Sequence, residues 1–598
     1  MSAKIVCATT SNEFLEDLPI NKGVDIVWKN VNYTARIKKN TRQILKNSSG
    51  ICKSGEMTAI IGSSGAGKTT LLNILCCRAQ NTDKVKLTGE ISANGQNFNS
   101  QTFSNFAAYV MQEDLLMESM TVIEVLQFAA HLKMKGTDEQ KYRKVKDVLR
   151  IMRLENCQNS LIGGAKLKGI TKGEKKRTSI AFELVSDPDV IFLDEPTSGL
   201  DSFTAYHVID VLQSYVKQEN KTIICTIHQP SSEIFLKFDR LILLVEGQFI
   251  YQGPRDQCID YFASFGFECP KLNNPADYLM SIMHGESERN RQNYKTYFEK
   301  FELNLKPVIE NELQHHKTNL ISNQQSEASF GTQLQILLKR NLKNVQRNPM
   351  ESKARVLQSI ILGLFTGIIY LSLPDPEAHQ YDQRAVNDYN GAIYFLAQNL
   401  HMNTLFPIVL SLPLEKAIFL KEQDAKLYNA TTYIIAKLLV ESILAILCPV
   451  IFVSISYYMI GLTPNFGCFC FFILVSILQS SVGMAQGLFC GAAFRDAQTA
   501  VSVTPMMILP FMLFGGLYKN VADMPDWNGW IQWISNYRYS FEAFVRNNYA
   551  HSPFKIDVVG QLNFDFGKWN CVFLLIVLFF SFSLLSLILL KTKNQSLQ

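Results

Sequence analysis

The sequence predicts an α/β domain followed by an all-α transmembrane domain of six helices, and three observations carry this prediction. First, charged residues make up 23% of the first 350 positions but only 12% of the 248 positions from Glu351 onward. A typical soluble domain is about 25% charged, so one uniform soluble fold is excluded. Second, the later part contains charge-free stretches of membrane-spanning length. Third, a glycine-rich loop joins an apolar strand pattern to a helical pattern near position 62.

The charge-free stretches locate the membrane spans. A bilayer core of about 30 Å needs about 20 apolar helical residues. One stretch is long enough for two crossings with a turn at Gly461–Gly467, so six spans are expected within 350–598, with an outward loop at about 519–568. The charge-free stretches are 356–374, 389–414, 442–494, 497–518 and 569–590.

Both termini of the chain are expected in the cytosol. Residues Met1–Leu18 have neither the basic start nor the apolar core of a signal peptide. Basic residues flank the first span and also follow the last span, at Lys591 and Lys593, as the positive-inside tendency requires. These features predict a multi-pass integral membrane protein with a cytosolic first domain, in a membrane that the sequence does not name. The formal net charge of +5 is too weak to indicate a nucleic-acid partner.

A phosphate-binding loop follows the apolar run Met57–Ile61. Its glycines let backbone N–H groups converge on phosphate oxygens, Lys68 reaches the β and γ phosphates, and Thr69 offers a hydroxyl to magnesium. By itself the loop indicates only a nucleoside triphosphate, and a glycine-rich turn without nucleotide is the alternative. The candidate binding residues are Gly62, Ser63, Ser64, Gly65, Ala66, Gly67, Lys68, Thr69 and Thr70.

An acidic pair and a histidine follow two further apolar runs. Asp194 and Glu195 come directly after Val190–Leu193, and His228 comes directly after Thr222–Ile227. A carboxylate that leaves a buried parallel strand beside a phosphate loop can hold Mg²⁺, and the next carboxylate can polarise an attacking water. His228 would then sense the γ-phosphate or orient the water. The alternatives are a solvated acidic turn and a structural histidine.

Gln112 completes the predicted magnesium site. It lies 44 positions after Lys68 and could add a neutral ligand to the metal held by Thr69 and Asp194. Taken singly, it would be a surface glutamine. For the nucleotide base, Tyr33 is the nearest aromatic candidate, although it could equally be an ordinary strand residue.

The order of these motifs resembles that of the nucleotide-binding domain of ATP-binding-cassette (ABC) proteins, with Walker A, Q-loop, signature, Walker B, D-loop and His-switch within about 20–270. The resemblance is to the G, or white-type, subfamily and extends into the membrane part. It implies that ATP is the nucleotide, with Mg²⁺, and that hydrolysis drives transport. The segments that carry it are Gly173–Arg177, Phe192–Asp201, Ile227–Pro230, Arg347–Met350, Leu513–Leu517 and Trp533–Glu542.

The resemblance assigns the signature and D-loop but also shows a departure. Asp201 belongs to the D-loop, and the signature, which in the family contacts ATP held by the opposite subunit, comprises Thr171, Lys172, Gly173 and Glu174. In the subfamily a glycine is usual where this chain has Lys172. If the position needed a positive φ, the lysine would cost about 1–2 kcal/mol. Its ammonium could instead pair with phosphate, so the sign of the effect stays open.

Because each ATP is held between one Walker A and the other copy's signature, the resemblance implies a second half-transporter as partner. In a homodimer Lys172 would affect both ATP sites. A partner with the usual glycine in its signature would leave one of the two sites intact. This difference favours a heterodimer. The alternative is that this chain is a poorly hydrolysing regulatory subunit, and an importer component is a further possibility.

The resemblance also implies a substrate cavity lined by the second and fifth spans. For each candidate residue the alternative is helix packing. Few charges lie within the spans, which favours hydrophobic or amphipathic cargo such as a lipid, a sterol or a drug-like molecule, and the lipid bilayer is a further partner. The candidates are Asn399, Met402, Leu509, Met512 and Leu517.

The remaining segments complete the predicted domain order. Residues 1–19 are an N-terminal extension, and 20–270 form the nucleotide-binding domain. The polar segment 271–329 is expected to be a linker with a loose helix. Residues 330–349 show an apolar stripe opposite a basic face, which predicts an amphipathic connecting helix at the cytosolic membrane surface. The membrane domain follows from 350.

Overall fold

The structure is a computed structural model in which the described residues form two compact units. The N-terminal extension expected at 1–19 and much of the linker after 314 lie outside the described residues. The structure describes residues 23–37, 40–79, 81–82, 85–164, 167–270, 273–283, 288–314, 328–371, 373–374, 376–494, 496–523 and 527–597.

The two units do not follow the chain as two contiguous blocks. The described residues of the first unit fall within Met1–Asp114, Met134–Asn159 and Ile170–Gln325. Those of the second unit fall within Leu115–Lys133, Ser160–Gly169 and Ser326–Gln598. Two segments of the domain predicted at 20–270 therefore belong to the unit that contains the membrane helices.

Ten strands are described, all in the first unit. They are β1 (Ile26–Ile37), β2 (Asn40–Cys52), β3 (Met57–Gly62), β4 (Val85–Ala93), β5 (Gln96–Asn97), β6 (Ala107–Val110), β7 (Val190–Leu193), β8 (Thr222–Ile227), β9 (Arg240–Val245) and β10 (Gln248–Pro254).

The strands form two sheets, and the larger one positions the site. Its order is β10-β9-β3-β8-β7-β6, parallel except for β10, while an antiparallel sheet has the order β2-β1-β4-β5. Every residue of β3, β7, β8 and β9 is buried, as expected for parallel strands covered on both faces. The glycine loop, the acidic pair and His228 follow three neighbouring strands and so meet at one edge of this sheet.

The helices up to residue 314 surround these sheets, except that α2 belongs to the second unit. They are α1 (Lys68–Leu75), α2 (Val122–Lys133), α3 (Asp138–Ile151), α4 (Lys172–Leu184), α5 (Ser202–Glu219), α6 (Ser232–Phe235), α7 (Arg255–Ala263), α8 (Pro275–Met283), α9 (Glu288–Lys300) and α10 (Lys306–Gln314).

The described part of the segment expected as a linker is packed against the first unit. Tyr294, Tyr297 and Phe301 are buried, and the ring of Tyr297 lies 5.8 Å from that of Phe262. Lys53, directly after β2, forms an ion pair of 2.9 Å with Glu312 on α10. The polar composition of this segment hid its aromatic stripe, whose members are separated by three and four residues and so share one helical face.

The second unit continues with nine helices. They are α11 (Phe330–Arg347), α12 (Pro349–Ile369), α13 (Gln383–Asp424), α14 (Ala430–Ile460), α15 (Phe466–Ala493), α16 (Ala497–Leu513), α17 (Asn536–Tyr549), α18 (Val558–Gln561) and α19 (Lys568–Leu597).

Five of the described helices, α12, α13, α14, α15 and α19, are long and apolar enough to cross a membrane. The fifth predicted span forms α16, which has 17 residues and would be about 25 Å long. This helix ends at Leu513 rather than 518, because the glycine pair 515–516 follows and Gly516 has a φ of +98°. The predicted turn between α14 and α15 is confirmed, with Gly461 in the left-handed conformation at the end of α14.

The segment expected as an outward loop contains a buried helix, α17. Phe544 on this helix stacks on Phe472 of α15, with ring centroids 3.9 Å apart. Twelve residues of α17 are buried. Helical packing of the aromatic residues therefore replaces the irregular loop that the charge distribution suggested.

Helix α2 contacts the amphipathic helix α11 through an ionic cluster within the second unit. Glu124 on α2 accepts hydrogen bonds from Lys343 at 2.7 Å and from Arg347. Ser119 donates to Asn344 at 2.7 Å. Burial alone would raise the pKa of Glu124, but the hydrogen bonds from Arg347 and Lys343 outweigh it and lower this pKa to about 2. One carboxylate thus binds two cations of the helix that precedes the first span.

We predict that Glu124→Ala lowers the free energy of unfolding by about 1–3 kcal/mol, because it leaves Lys343 and Arg347 without their shared partner. Since the pKa of Glu124 is lowered in the folded protein, its contribution should be present above about pH 4.5 and be lost as the pH falls towards 2. Thermal unfolding of the protein in lipid nanodiscs at pH 7 measures the effect. The control is Glu139→Ala, whose side chain is 85% exposed; equal losses from both variants would contradict the prediction.

Candidate nucleotide-binding site

The glycine loop closes over its own lysine. Gly65 and Gly67 have φ values of +76° and +104°, and Gly67 precedes the first turn of α1. The Nζ atom of Lys68 donates to the carbonyl oxygens of Gly62 at 2.7 Å and Ser63 at 3.1 Å. Burial lowers the pKa of Lys68, and the nearby carboxylates of Glu195 and Asp194 oppose that change. Backbone N–H groups, a helix N-terminus and an ammonium therefore lie together, as a phosphate requires.

Asp194 is buried beside this loop and is held by three hydroxyl groups. Its Oδ1 atom accepts from Thr226 at 2.7 Å and from Thr69 at 3.3 Å. Its Oδ2 atom accepts from Tyr109 at 3.4 Å. Burial raises the pKa of Tyr109, and Asp194 raises it further, so the phenol keeps the proton that it donates.

Thr226 also positions the second carboxylate. The backbone N–H of Glu195 donates to the Thr226 hydroxyl at 2.9 Å, and Glu195 has a φ of +45°, which is uncommon for a residue with a side chain. The Glu195 carboxylate in turn accepts a hydrogen bond of 2.7 Å from Gln112. The structure therefore brings Gln112, Glu195 and Asp194 to one edge of the sheet.

The geometry fits a magnesium ion in part. Thr69 and Asp194 present a hydroxyl and a carboxylate, which are oxygen ligands that Mg²⁺ prefers. The Gln112 amide is turned towards Glu195 instead of Asp194. Within the described residues no group of three His, Cys, Asp or Glu side chains could hold a metal.

A cavity of about 610 Å³ lies over the loop, and eight predicted site residues line it. They are Ser64, Gly65, Gly67, Lys68, Thr69, Thr70, Glu195 and His228. Of the other predicted loop residues, Gly62 lies in β3, where a Cβ would approach the Leu244 carbonyl oxygen to 2.3 Å, and Ala66 is buried.

Five further residues line the same cavity and were missed by sequence reasoning. Tyr33 is not among them, because its side chain packs against the core of the first unit. No aromatic side chain other than the imidazole of His228 is among the described residues that line the cavity. The missed residues are Arg42, Gln43, Ile44, Lys46 and Glu246. They lie on β2 and on the turn after β9, where no motif marks them.

The signature residues lie away from this cavity, at the start of α4. Thr171 caps the helix by accepting from the backbone N–H of Glu174, and Glu174 accepts in return from the Thr171 N–H at 2.9 Å. Lys172 is the first helical residue, is exposed, and is not among the residues with positive φ. The conformational cost considered for this lysine therefore does not arise.

The glycine that the signature retains is required by packing. A Cβ on Gly173 would approach the Cγ2 atom of Thr204 to 2.1 Å. Thr204 donates its backbone N–H to Asp201, which caps α5 at 3.0 Å. The signature and the D-loop are thus packed together, and neither contributes to the cavity over the glycine loop of the same chain.

The predicted substrate-cavity residues occupy α13, α16 and the turn after α16. Met402, Met512 and Leu517 are partly buried against the core of the second unit, and Asn399 donates to the Phe395 carbonyl oxygen at 2.9 Å. Leu509 is 48% exposed. In the single chain Leu509 is therefore the exposed member of the five, and the others are partly buried.

Comparisons with known proteins agree with these features. The chain matches the ABC transporter family over residues 45–198 and ABC-2 type transporter families over 332–549 and 228–301. The C. elegans ABC transporter ATP-binding protein/permease wht-1 is 32% identical over 89% of this chain and 83% of its own length. Protein white of Drosophila melanogaster is 33% identical over 85% and 75%.

A mammalian relative shows the same extent of similarity. The mouse broad substrate specificity ATP-binding cassette transporter ABCG2 is 32% identical over 89% of this chain and 85% of its own. The chain is therefore an ABC transporter with an α/β ATPase domain of the P-loop fold and a helical ABC-2 membrane domain, which confirms the predicted fold class. It belongs to the G, or white-type, subfamily of half-transporters, binds ATP and couples its hydrolysis to transport across a membrane.

We predict that Thr226→Val lowers kcat for ATP hydrolysis about tenfold, because Asp194 and the Glu195 backbone lose their shared hydroxyl. The measurement is the rate of phosphate release by the purified protein in nanodiscs.

The matched control is Thr58→Val on the neighbouring strand β3. The Thr58 hydroxyl is buried without a nitrogen or oxygen partner among the described residues, so its removal should leave kcat unchanged. Equal rates for wild type and Thr226→Val would show that this hydroxyl does not support the site.

Proposed function

We propose that this chain is one half of a dimeric transporter that exports or flips a hydrophobic or amphipathic molecule such as a lipid, a sterol or a drug-like compound. We infer the dimer from one observation: the signature of this chain does not line the phosphate cavity of the same chain. A site with a phosphate loop but no signature needs a second chain to complete it. The broad substrate specificity of the mouse relative supports a class of cargo over a single compound.

Within this proposal each site residue has a role. Lys68 and the N–H groups of residues 62–70 bind the phosphates, and Thr69 and Asp194 hold Mg²⁺, with Gln112 beside them. When bound, the ion neutralises charge on the phosphates. Glu195 accepts a proton from the attacking water, and His228, which lines the cavity, orients the γ-phosphate. Thr171, Lys172, Gly173, Glu174 and Asp201 serve the ATP held by the partner.

The membrane arrangement follows the charge distribution of the sequence. The nucleotide domain and both termini lie in the cytosol, and α11 lies at the cytosolic surface of the bilayer, where its Lys343 and Arg347 bind Glu124 of α2. The helix α13 has 42 residues, about 63 Å, which is twice the thickness of the hydrocarbon core. Its end after Leu414 therefore extends into the cytosol, where Lys421 donates to the Leu115 carbonyl oxygen at 3.1 Å.

A heterodimer is favoured over a homodimer because of Lys172. Its side chain begins at the first residue of α4, where the signature would approach the phosphates of the partner's ATP. In a homodimer, the lysine would be present at both ATP sites. In a heterodimer with a partner that has glycine at this signature position, the ATP site that contains this chain's Lys68 would receive the glycine. The second candidate, a poorly hydrolysing regulatory subunit, rests on the same lysine.

We predict that the chain purified alone hydrolyses ATP at least tenfold more slowly than the complex purified from its native membrane, and that Glu195→Gln removes most of the activity of that complex. The rate of phosphate release measures ATP hydrolysis in both preparations. The chain and the lipids that co-purify with the complex are identified in the same samples. A high rate from the chain alone, abolished by Glu195→Gln, would remove the reason for a heterologous partner. If Glu195→Gln leaves the ATPase rate of the complex unchanged, the result would support the second candidate, in which this chain is a poorly hydrolysing regulatory subunit.

We predict that Lys172→Gly raises ATP hydrolysis by the chain purified alone, because the ammonium no longer occupies the approach to phosphate. Lys172→Ala removes the same charge and keeps the helix, so both variants should increase the rate. Lys175→Ala on the next turn of α4 is the control and should match wild type. A lower rate in both Lys172 variants would mean that the ammonium assists phosphate binding.

A further inference from the structure

A buried lysine joins the signature helix to the Q-loop within the first unit. The side chain of Lys176 on α4 is only 2% exposed. Its Nζ atom lies 2.9 Å from Oδ1 of Asp114 and donates to the carbonyl oxygen of Gln112 at 2.8 Å. A buried ammonium is costly, and similar apolar packing would be equally stable or more so. Stability alone therefore does not explain this pair.

One end of this connection reaches the site of hydrolysis. The residue whose carbonyl oxygen binds Lys176 is Gln112, and its side chain donates to the Glu195 carboxylate at 2.7 Å. Two consecutive hydrogen bonds therefore link the Lys176 ammonium to the carboxylate expected to accept the proton of water.

The backbone of Lys176 belongs to the helix that begins with the signature, whose residues this chain would supply to its partner. Lys176 lies one helical turn after Lys172 on α4, whose first turn contains the signature residues. That turn is packed through Gly173 on Thr204, which binds the D-loop residue Asp201. The signature glycine is therefore in contact with the residue that hydrogen-bonds to the D-loop.

We propose that Lys176 is a positioning residue that couples the two ATP sites of the dimer. Through it, the state of Gln112 and Glu195 at this chain's own ATP sets the position of the signature and D-loop at the partner's ATP. This inference rests on the proposed dimer. It concerns a residue that does not line the cavity over the glycine loop and that acts through Gln112 and α4.

The test compares three variants in the most active dimeric preparation, reconstituted in nanodiscs. Lys176→Met removes the ammonium but keeps the length of the side chain. Lys176→Met with Asp114→Asn also removes the carboxylate that the first change leaves unpaired, and this second variant should recover thermal stability. Lys175→Met is the matched control on the same helix. Each preparation is measured for kcat, for the KM of ATP and for the midpoint of thermal unfolding.

A coupling role predicts that kcat falls about tenfold in both Lys176 variants while the KM of ATP stays within twofold, because the glycine loop is untouched. It also predicts that the double variant regains the thermal midpoint without regaining kcat. If the double variant regains both the thermal midpoint and kcat, then Lys176 and Asp114 form a purely structural ion pair, and the proposal is overturned. If the wild-type dimer itself shows no ATP hydrolysis, the proposed function fails before any variant is compared.

Discussion

The nucleotide domain depends on one buried carboxylate, Asp194. An ionised carboxylate within an apolar sheet is stable only if its oxygens are hydrogen-bonded, and here three hydroxyl groups meet that requirement. They come from strand β8, helix α1 and strand β6, so a single side chain sets the relative position of the phosphate loop and both neighbours of β7. The neighbouring strands β3, β7 and β8 are fully buried and parallel, so their carboxyl ends meet at the edge where the polar site lies.

In the proposed dimer, the phosphate cavity and the signature of one chain serve two different ATP sites. The cavity at the carboxyl ends of the strands receives phosphate, while α4 and α5 begin elsewhere and present capped N-termini without a phosphate loop. Transport follows if the completion of both sites draws the nucleotide domains together. The binding energy of ATP can be used in this way only if ATP binds the closed state more tightly than the open one. Within the second unit, the contacts of Glu124 connect α2 to α11. The ion pair of Arg340 with Glu422, at 2.6 Å, connects α11 to α13.

The sequence predicted the fold class and the motifs, because strand ends, glycine loops and charge-free stretches are local patterns. It did not predict Thr226 or Lys176, whose roles depend on partners 32 and 64 positions away. For Thr226 a signal existed, since a hydroxyl within a buried parallel strand needs a hydrogen-bond partner. The grouping of residues 115–133 with the helices of the second unit depends on long-range contacts such as that of Glu124 with Lys343, which no local sequence pattern indicates. The positions of α17 and of the packed helices after 275 were missed because composition hid their aromatic faces.

The central claim is that the phosphate loop of this chain is completed by the signature of another chain. Disulfide crosslinking measures this directly, on a Glu195→Gln background that retains ATP, between Ser64→Cys of this chain and a cysteine in the signature of its co-purified partner. If the partner is a second copy, the signature cysteine is Thr171→Cys. Both positions are exposed in the single chain. The account predicts a crosslinked dimer that forms with ATP and not without it. A protein that binds ATP but forms no such crosslink, with itself or with the co-purified chain, would contradict the account.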